Sequence, residues 1–147
     1  MQTYGNQHYK NIDIATADRG KLVVLLYEGA IDFLNKAKNS ALKKDFEGKC
    51  NNINRAQDII QELNTSLKMD EGGDVAKNLR SLYVFMEKHI LRAKIEKDGT
   101  KKIDEVIFLL TNLYKAWQDI LNKPELKGIK NVDHHSNNPG LSRGFSV

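Results

Sequence analysis

Four histidines, one cysteine and 19 carboxylate side chains are the residues of this 147-residue chain that could do metal, nucleophilic or acid–base chemistry. Each of those chemistries has a spacing requirement. A di-iron site in a helical bundle takes a Glu-x-x-His pair from each of two helices and inward carboxylates from the others. No histidine here has a glutamate three residues before it, since Gly5, Met86, Asn131 and Val132 stand at that distance from His8, His89, His134 and His135. His89 lies near the edge of an apolar helix face and reads as a structural or surface residue. Cys50 reads as a core residue with no histidine or carboxylate partner that spacing identifies. A nucleotide site would show a Gly-rich phosphate loop, and the chain has none. Asn64-Thr65-Ser66 matches a glycosylation acceptor by letters but falls inside a predicted helix. The reading is of a protein without catalytic residues, cofactor or metal, which leaves recognition of another molecule as its chemistry.

The elements that would carry such recognition follow from apolar spacing. Helix 1 is predicted from about Asp18 to Lys43, with Thr16 or Asp18 as N-cap, and helix 2 from about Asp45 to Lys68. Met69-Asp70-Glu71-Gly72-Gly73-Asp74 supplies a turn, because glycine accepts positive φ at little cost and Asp74 can cap the next helix. Helix 3 then runs to about Lys97. Asp98-Gly99-Thr100 makes a second break, and helix 4 covers about Lys101 to Asn122 before Pro124 stops it. Four helices with short connections predict an all-α fold, an antiparallel up-and-down four-helix bundle over residues 17–122. Residues 1–16 are polar but carry Tyr4, Tyr9, Ile12 and Ile14, the pattern of a docking strand or lid. Residues 123–147 mix Asn, Ser, Gly, Lys and Pro without helical periodicity and are expected to be a disordered tail.

Composition sets outer limits. At this length one core suffices, and with only two prolines and few turn clusters an all-β architecture is disfavoured. The single cysteine makes no internal disulfide, Asn6 to Asp13 lacks the apolar run of a signal peptide, and no segment approaches the roughly 20 apolar residues of a membrane span. The expected setting is cytoplasmic, without membrane insertion. The net charge is +4; the tail carries Lys123, Lys127, Lys130 and Arg143 against Glu125 and Asp133, and elsewhere acidic and basic residues interleave. Nucleic-acid binding normally clusters Lys and Arg on one face. A small helical adaptor that uses the basic tail on nucleic acid, or its apolar ridges on another amphipathic helix, is the alternative function.

The helix faces carry the informative surplus. Core stripes are expected at Leu22, Leu26, Ala30, Phe33 and Ala37 in helix 1, and at Phe46, Cys50, Ile53, Ile60 and Leu67 in helix 2. Helix 3 offers Val75, Leu79, Leu82, Met86, Ile90 and Ala93, and helix 4 offers Ile103, Ile107, Leu110, Leu113, Trp117 and Leu121. At about 100° per residue, other apolar residues fall outside these stripes. They are Val24 and Ile31 on helix 1, Ile59 on helix 2, the ridge of Val84, Leu91 and Ile95 on helix 3, and Phe108 almost opposite the core face of helix 4. Contiguous exposed apolar surface usually marks a binding site, and this surplus suits an amphipathic helix laid into the grooves of the bundle.

Several stretches together resemble the flagellin-specific export chaperones, the FliS family. They are Thr16-Ala17-Asp18-Arg19-Gly20-Lys21-Leu22 with Leu26-Tyr27-Glu28-Gly29-Ala30-Ile31-Asp32-Phe33-Leu34, then Arg55-Ala56-Gln57-Asp58-Ile59-Ile60-Gln61-Glu62-Leu63. Gly72-Gly73-Asp74-Val75-Ala76-Lys77-Asn78-Leu79, Leu82-Tyr83, Ile103-Asp104-Glu105-Val106, Leu109-Leu110 and Ala116-Trp117 follow in order. The resemblance spans about Tyr9 to Trp117; the chain departs from it at Asp18-Arg19, where the family often has Ser-Pro, and at Ile12, where it often has Asn. It implies a bundle whose partner is the C-terminal segment of flagellin, held unpolymerised before type III flagellar export, with the flagellar export gate as a further partner. It also implies an N-terminal segment, with Tyr9 and Ile14, that covers part of the groove in the free protein. The expected partner-binding residues are Tyr9, Ile14, Ile31, Ile59, Val84, Leu91, Ile95 and Phe108.

Overall fold

The computed structural model of the chain describes residues 16–123. Four helices follow one another, α1 (Thr16–Leu42), α2 (Phe46–Thr65), α3 (Met69–Ile95) and α4 (Thr100–Leu121), and among the described residues there is no strand. Each helix packs on the next and α4 closes back on α1. That cyclic adjacency is the predicted up-and-down four-helix bundle. The Tyr9 and Ile14 segment and the tail beyond Lys123 lie outside the described residues.

The helix ends have local causes. Between α1 and α2, Asp45 is an N-cap whose side chain accepts the Gly48 N–H at 3.0 Å, which satisfies one of the orphan donors of a first turn. Gly73 has φ 60 and ψ −141, so α3 is interrupted there and resumes at Asp74. This is the Gly-Gly turn expected from the sequence, joined to a short turn of helix before it. Gly99, at φ 78, reverses the chain into α4, in the left-handed region that only glycine enters readily.

The core is built from Leu34, Ile53, Ile60, Leu63, Met86, Ile90, Ile103, Val106 and Leu110, all fully buried. Each contributes about 1.5–3 kcal/mol of burial free energy relative to exposure. Three larger side chains with polar ends meet among them. Tyr27 and Tyr83, from α1 and α3 on the bundle diagonal, join through their hydroxyls at 2.5 Å, and Trp117 of α4 donates its indole N–H to the Tyr27 oxygen at 3.2 Å. Burial pushes the Tyr27 phenol up to about 12, against the lowering effect of the bonds to Tyr83 and Trp117. Burial also raises Tyr83, as does the neighbouring Tyr27.

One charged residue is buried with them. Lys49 is 1% exposed, and its ammonium donates to the carbonyl oxygens of Glu96 at 2.6 Å and Asp98 at 3.2 Å. A cation at the end of α3 suits the negative pole of that helix and ties the α3–α4 turn to the start of α2. Two residues expected in core stripes are instead exposed, Phe46 and Val75. Phe46 opens α2 and Val75 follows the Gly73 interruption, so both lie near helix ends where the neighbouring helices no longer cover the stripe.

Candidate partner-binding surface

Eight large hydrophobic residues are exposed among the described residues, and four of them, Val75, Phe85, Leu91 and Ile95, belong to α3. α1 is packed closely along both neighbours, whereas α3 makes the slighter contacts with α2 and α4. The helix least embraced by the bundle therefore carries the most uncovered apolar surface, the condition for docking a further amphipathic segment.

Of the residues expected to form this surface, Leu91 is exposed, Ile95 is 77% exposed and Val84 is half-buried along the same ridge. Phe108 on α4 is 65% exposed. Its neighbours around the outer face are polar, including Lys101, Asp104, Asn112 and Lys115, so it stands apart from the α3 ridge. Ile31 is half-buried on α1 and packs against the core. Ile59, expected off the core face, is buried at 7% exposure. Its δ1 methyl lies 3.2 Å from where a Cβ on Gly29 would stand. The glycine lets α2 approach α1 closely enough to enclose a residue that a narrow stripe would leave outside. Tyr9 and Ile14 fall outside the described residues.

Sequence reasoning missed Phe85. Its ring stacks on His89 with centroids 4.8 Å apart, and the His89 Nε2 pairs with Glu105 of α4. That bond holds the Glu105 carboxyl below the usual carboxylate range. The signal was present: Leu82-Tyr83-Val84-Phe85-Met86 is a run of five apolar residues, which wraps more than a full turn of helix and must present one of them to solvent. Leu25 and Leu42 on α1 are also exposed and were not singled out.

The ridge faces the α2 side. Arg80 donates to Asn64 of α2, from Nε to the side-chain oxygen at 3.2 Å and from Nη2 to the backbone oxygen at 3.4 Å; Lys94 donates to the Asn54 side-chain oxygen at 2.8 Å. Cys50, Asn54, Gln57 and Gln61 follow one another at helical spacing on that flank of α2, all half-buried or exposed. The flanks of α3 and α2 on this side thus form one apolar wall and one amide-rich wall. Glu87 sits within the apolar wall, and burial raises its carboxyl above the usual range. Among the described residues no group of three or more His, Cys, Asp or Glu could hold a metal ion, and no helix is long and apolar enough to cross a membrane. The arrangement is suited to binding a helix by burial and hydrogen bonding.

The profile of the family described as Flagellar protein FliS matches residues 1–124. The Flagellar secretion chaperone FliS of Vibrio cholerae serotype O1 is 34% identical over 118 residues, covering 78% of this chain and 86% of that protein. The proteins of the same name from Bacillus subtilis and Salmonella typhimurium are 30% and 32% identical. Those matches cover 77% and 75% of this chain, and 83% and 82% of the two relatives.

Proposed function

Because this chain belongs to the FliS family of flagellar secretion chaperones, we propose that it is a cytoplasmic chaperone that binds the C-terminal segment of flagellin, keeps it from polymerising and delivers it to the flagellar export gate. The observation that supports this most is the exposed apolar flank of α3, with Val84, Leu91 and Ile95 in line. The partner segment is disordered when free and folds as a helix on this flank, and it reaches Phe108 as it wraps around the bundle. Folding on binding costs conformational entropy but buries a long surface, and the segment can be withdrawn progressively by the export machinery. Release proceeds by competition, with no nucleotide. In the free chaperone the N-terminal segment, through Tyr9 and Ile14, covers part of the same surface.

The test is to mix purified chaperone and flagellin. Helicity by circular dichroism should exceed the sum of the parts, with a negative heat-capacity change of binding. Leu91→Asp or Phe108→Asp should stay folded and bind flagellin more weakly. Additive helicity removes folding on binding. Undiminished capture by both folded variants removes the surface.

A further inference from the structure

Val84, Glu87, Leu91 and Ile95 lie within about 80° of one another at about 100° per residue, one continuous stripe along α3. Three of the four are apolar. In helix-on-helix seams a single polar residue in an otherwise apolar stripe lowers stability but fixes register and partner, because only one alignment brings it an answering group.

We infer that Glu87 is the register-setting residue of this surface, taking a hydrogen-bond donor (amide, ammonium or guanidinium) from the apolar stripe of a partner helix laid between α2 and α3. The inference rests on the function proposed above and names the chemistry its partner must present. Its first support is that the Glu87 Oε2 atom is buried and has no hydrogen-bond partner among the described residues. The second is that Arg80 and Lys94, the α3 cations that reach α2 on this flank, bond there to Asn64 and Asn54. Glu87 as a whole is half-buried, so its carboxyl can turn toward a donor from outside the chain and shed the penalty that an unmet buried acceptor carries. The third is the facing wall of α2, where Gln57 and Gln61 offer amides to the polar flank of the same helix. A partner with an apolar stripe interrupted once by Asn, Gln, Lys or Arg meets both walls; a wholly apolar stripe leaves Glu87 stranded.

The experiment compares wild-type full-length chain with Glu87→Gln, Glu87→Leu and Leu91→Asp, measuring thermal stability of each alone and flagellin affinity by calorimetry. Glu87→Leu, which removes the stranded acceptor, should hold or raise the melting temperature yet weaken flagellin binding on the order of tenfold. Glu87→Gln, which keeps an acceptor oxygen, should stay within about threefold of wild type. Cys50, the one cysteine of the chain and part of the amide-rich wall, should react more slowly with a thiol reagent when flagellin saturates the chaperone. Wild-type chain that fails to capture flagellin overturns the proposed function itself. Capture that Leu91→Asp abolishes and Glu87→Leu leaves at full strength overturns the role of Glu87 alone, and unchanged Cys50 reactivity in the saturated complex overturns the placement between α2 and α3.

Discussion

Tyr27 is the residue on which three helices converge, since its hydroxyl is bonded to Tyr83 of α3 and to the indole of Trp117 of α4. Replacing it with Phe breaks two buried bonds and leaves the Tyr83 hydroxyl without its observed partner. A buried polar group so stranded costs about 1–3 kcal/mol. Tyr27→Phe should therefore lose about that much in urea denaturation, and more than Tyr83→Phe, which breaks one bond. The pair also gives the fold an alkaline limit. Burial raises both phenols in the folded state, Tyr27 to about 12, whereas an unfolded tyrosine ionises near about 10. The unfolded chain loses its protons first, so the contribution is intact below about pH 10 and is lost as pH rises through the folded values. Melting temperature should fall steadily from about pH 10 to 12 in wild type, and less steeply in Tyr83→Phe. The apolar part of this core was readable from spacing, as were Trp117 and Met86. Lys49 was not, because a lysine between core positions looks like solvated surface until the α3–α4 turn places two carbonyl oxygens above it.

At the scale of elements, the two turn glycines differ in what a side chain would meet. At Gly73 (φ 60, ψ −141) nothing lies within 4 Å of an added Cβ, so alanine there is strained only by its backbone conformation, a cost of about 1–3 kcal/mol. At Gly99 (φ 78) the same Cβ would stand 2.4 Å from the Ala93 carbonyl oxygen, a backbone atom that cannot swing aside. Gly99→Ala should destabilise the bundle clearly more than Gly73→Ala, measured as the shift in urea midpoint at constant slope. The helix limits were legible to within a few residues because these glycines, Asp45 and the apolar period all agree, and the fold class followed from them. The exact burial of each stripe was not. The enclosure of Ile59 beside Gly29 depends on how far α2 sinks toward α1. Phe85 escaped because its neighbours on either side, Val84 and Met86, already had roles in a ridge and a stripe.

For the whole molecule, the unevenness of the packing matters most: a bundle drawn tight around α1 leaves α3 half-open, the surface on which the proposed partner and the N-terminal segment would compete. If that segment occupies the surface, apparent affinity is reduced by the fraction of molecules held closed. Deleting residues 1–14 should therefore leave flagellin affinity unchanged or raise it in calorimetry, and a large loss in a folded truncation would make the segment a direct contact instead. The ridge of α3 could be traced from the sequence because Leu91 and Ile95 sit plainly off the core period, while the amide-rich wall facing it is invisible until α2 and α3 are set side by side. The one tryptophan of the chain, Trp117, is sealed in the core, with its indole N–H on the Tyr27 hydroxyl. Its emission consequently serves as a clean optical gauge of unfolding that stays silent while a partner docks, so that a spectral change on adding flagellin would signal a rearranged interior.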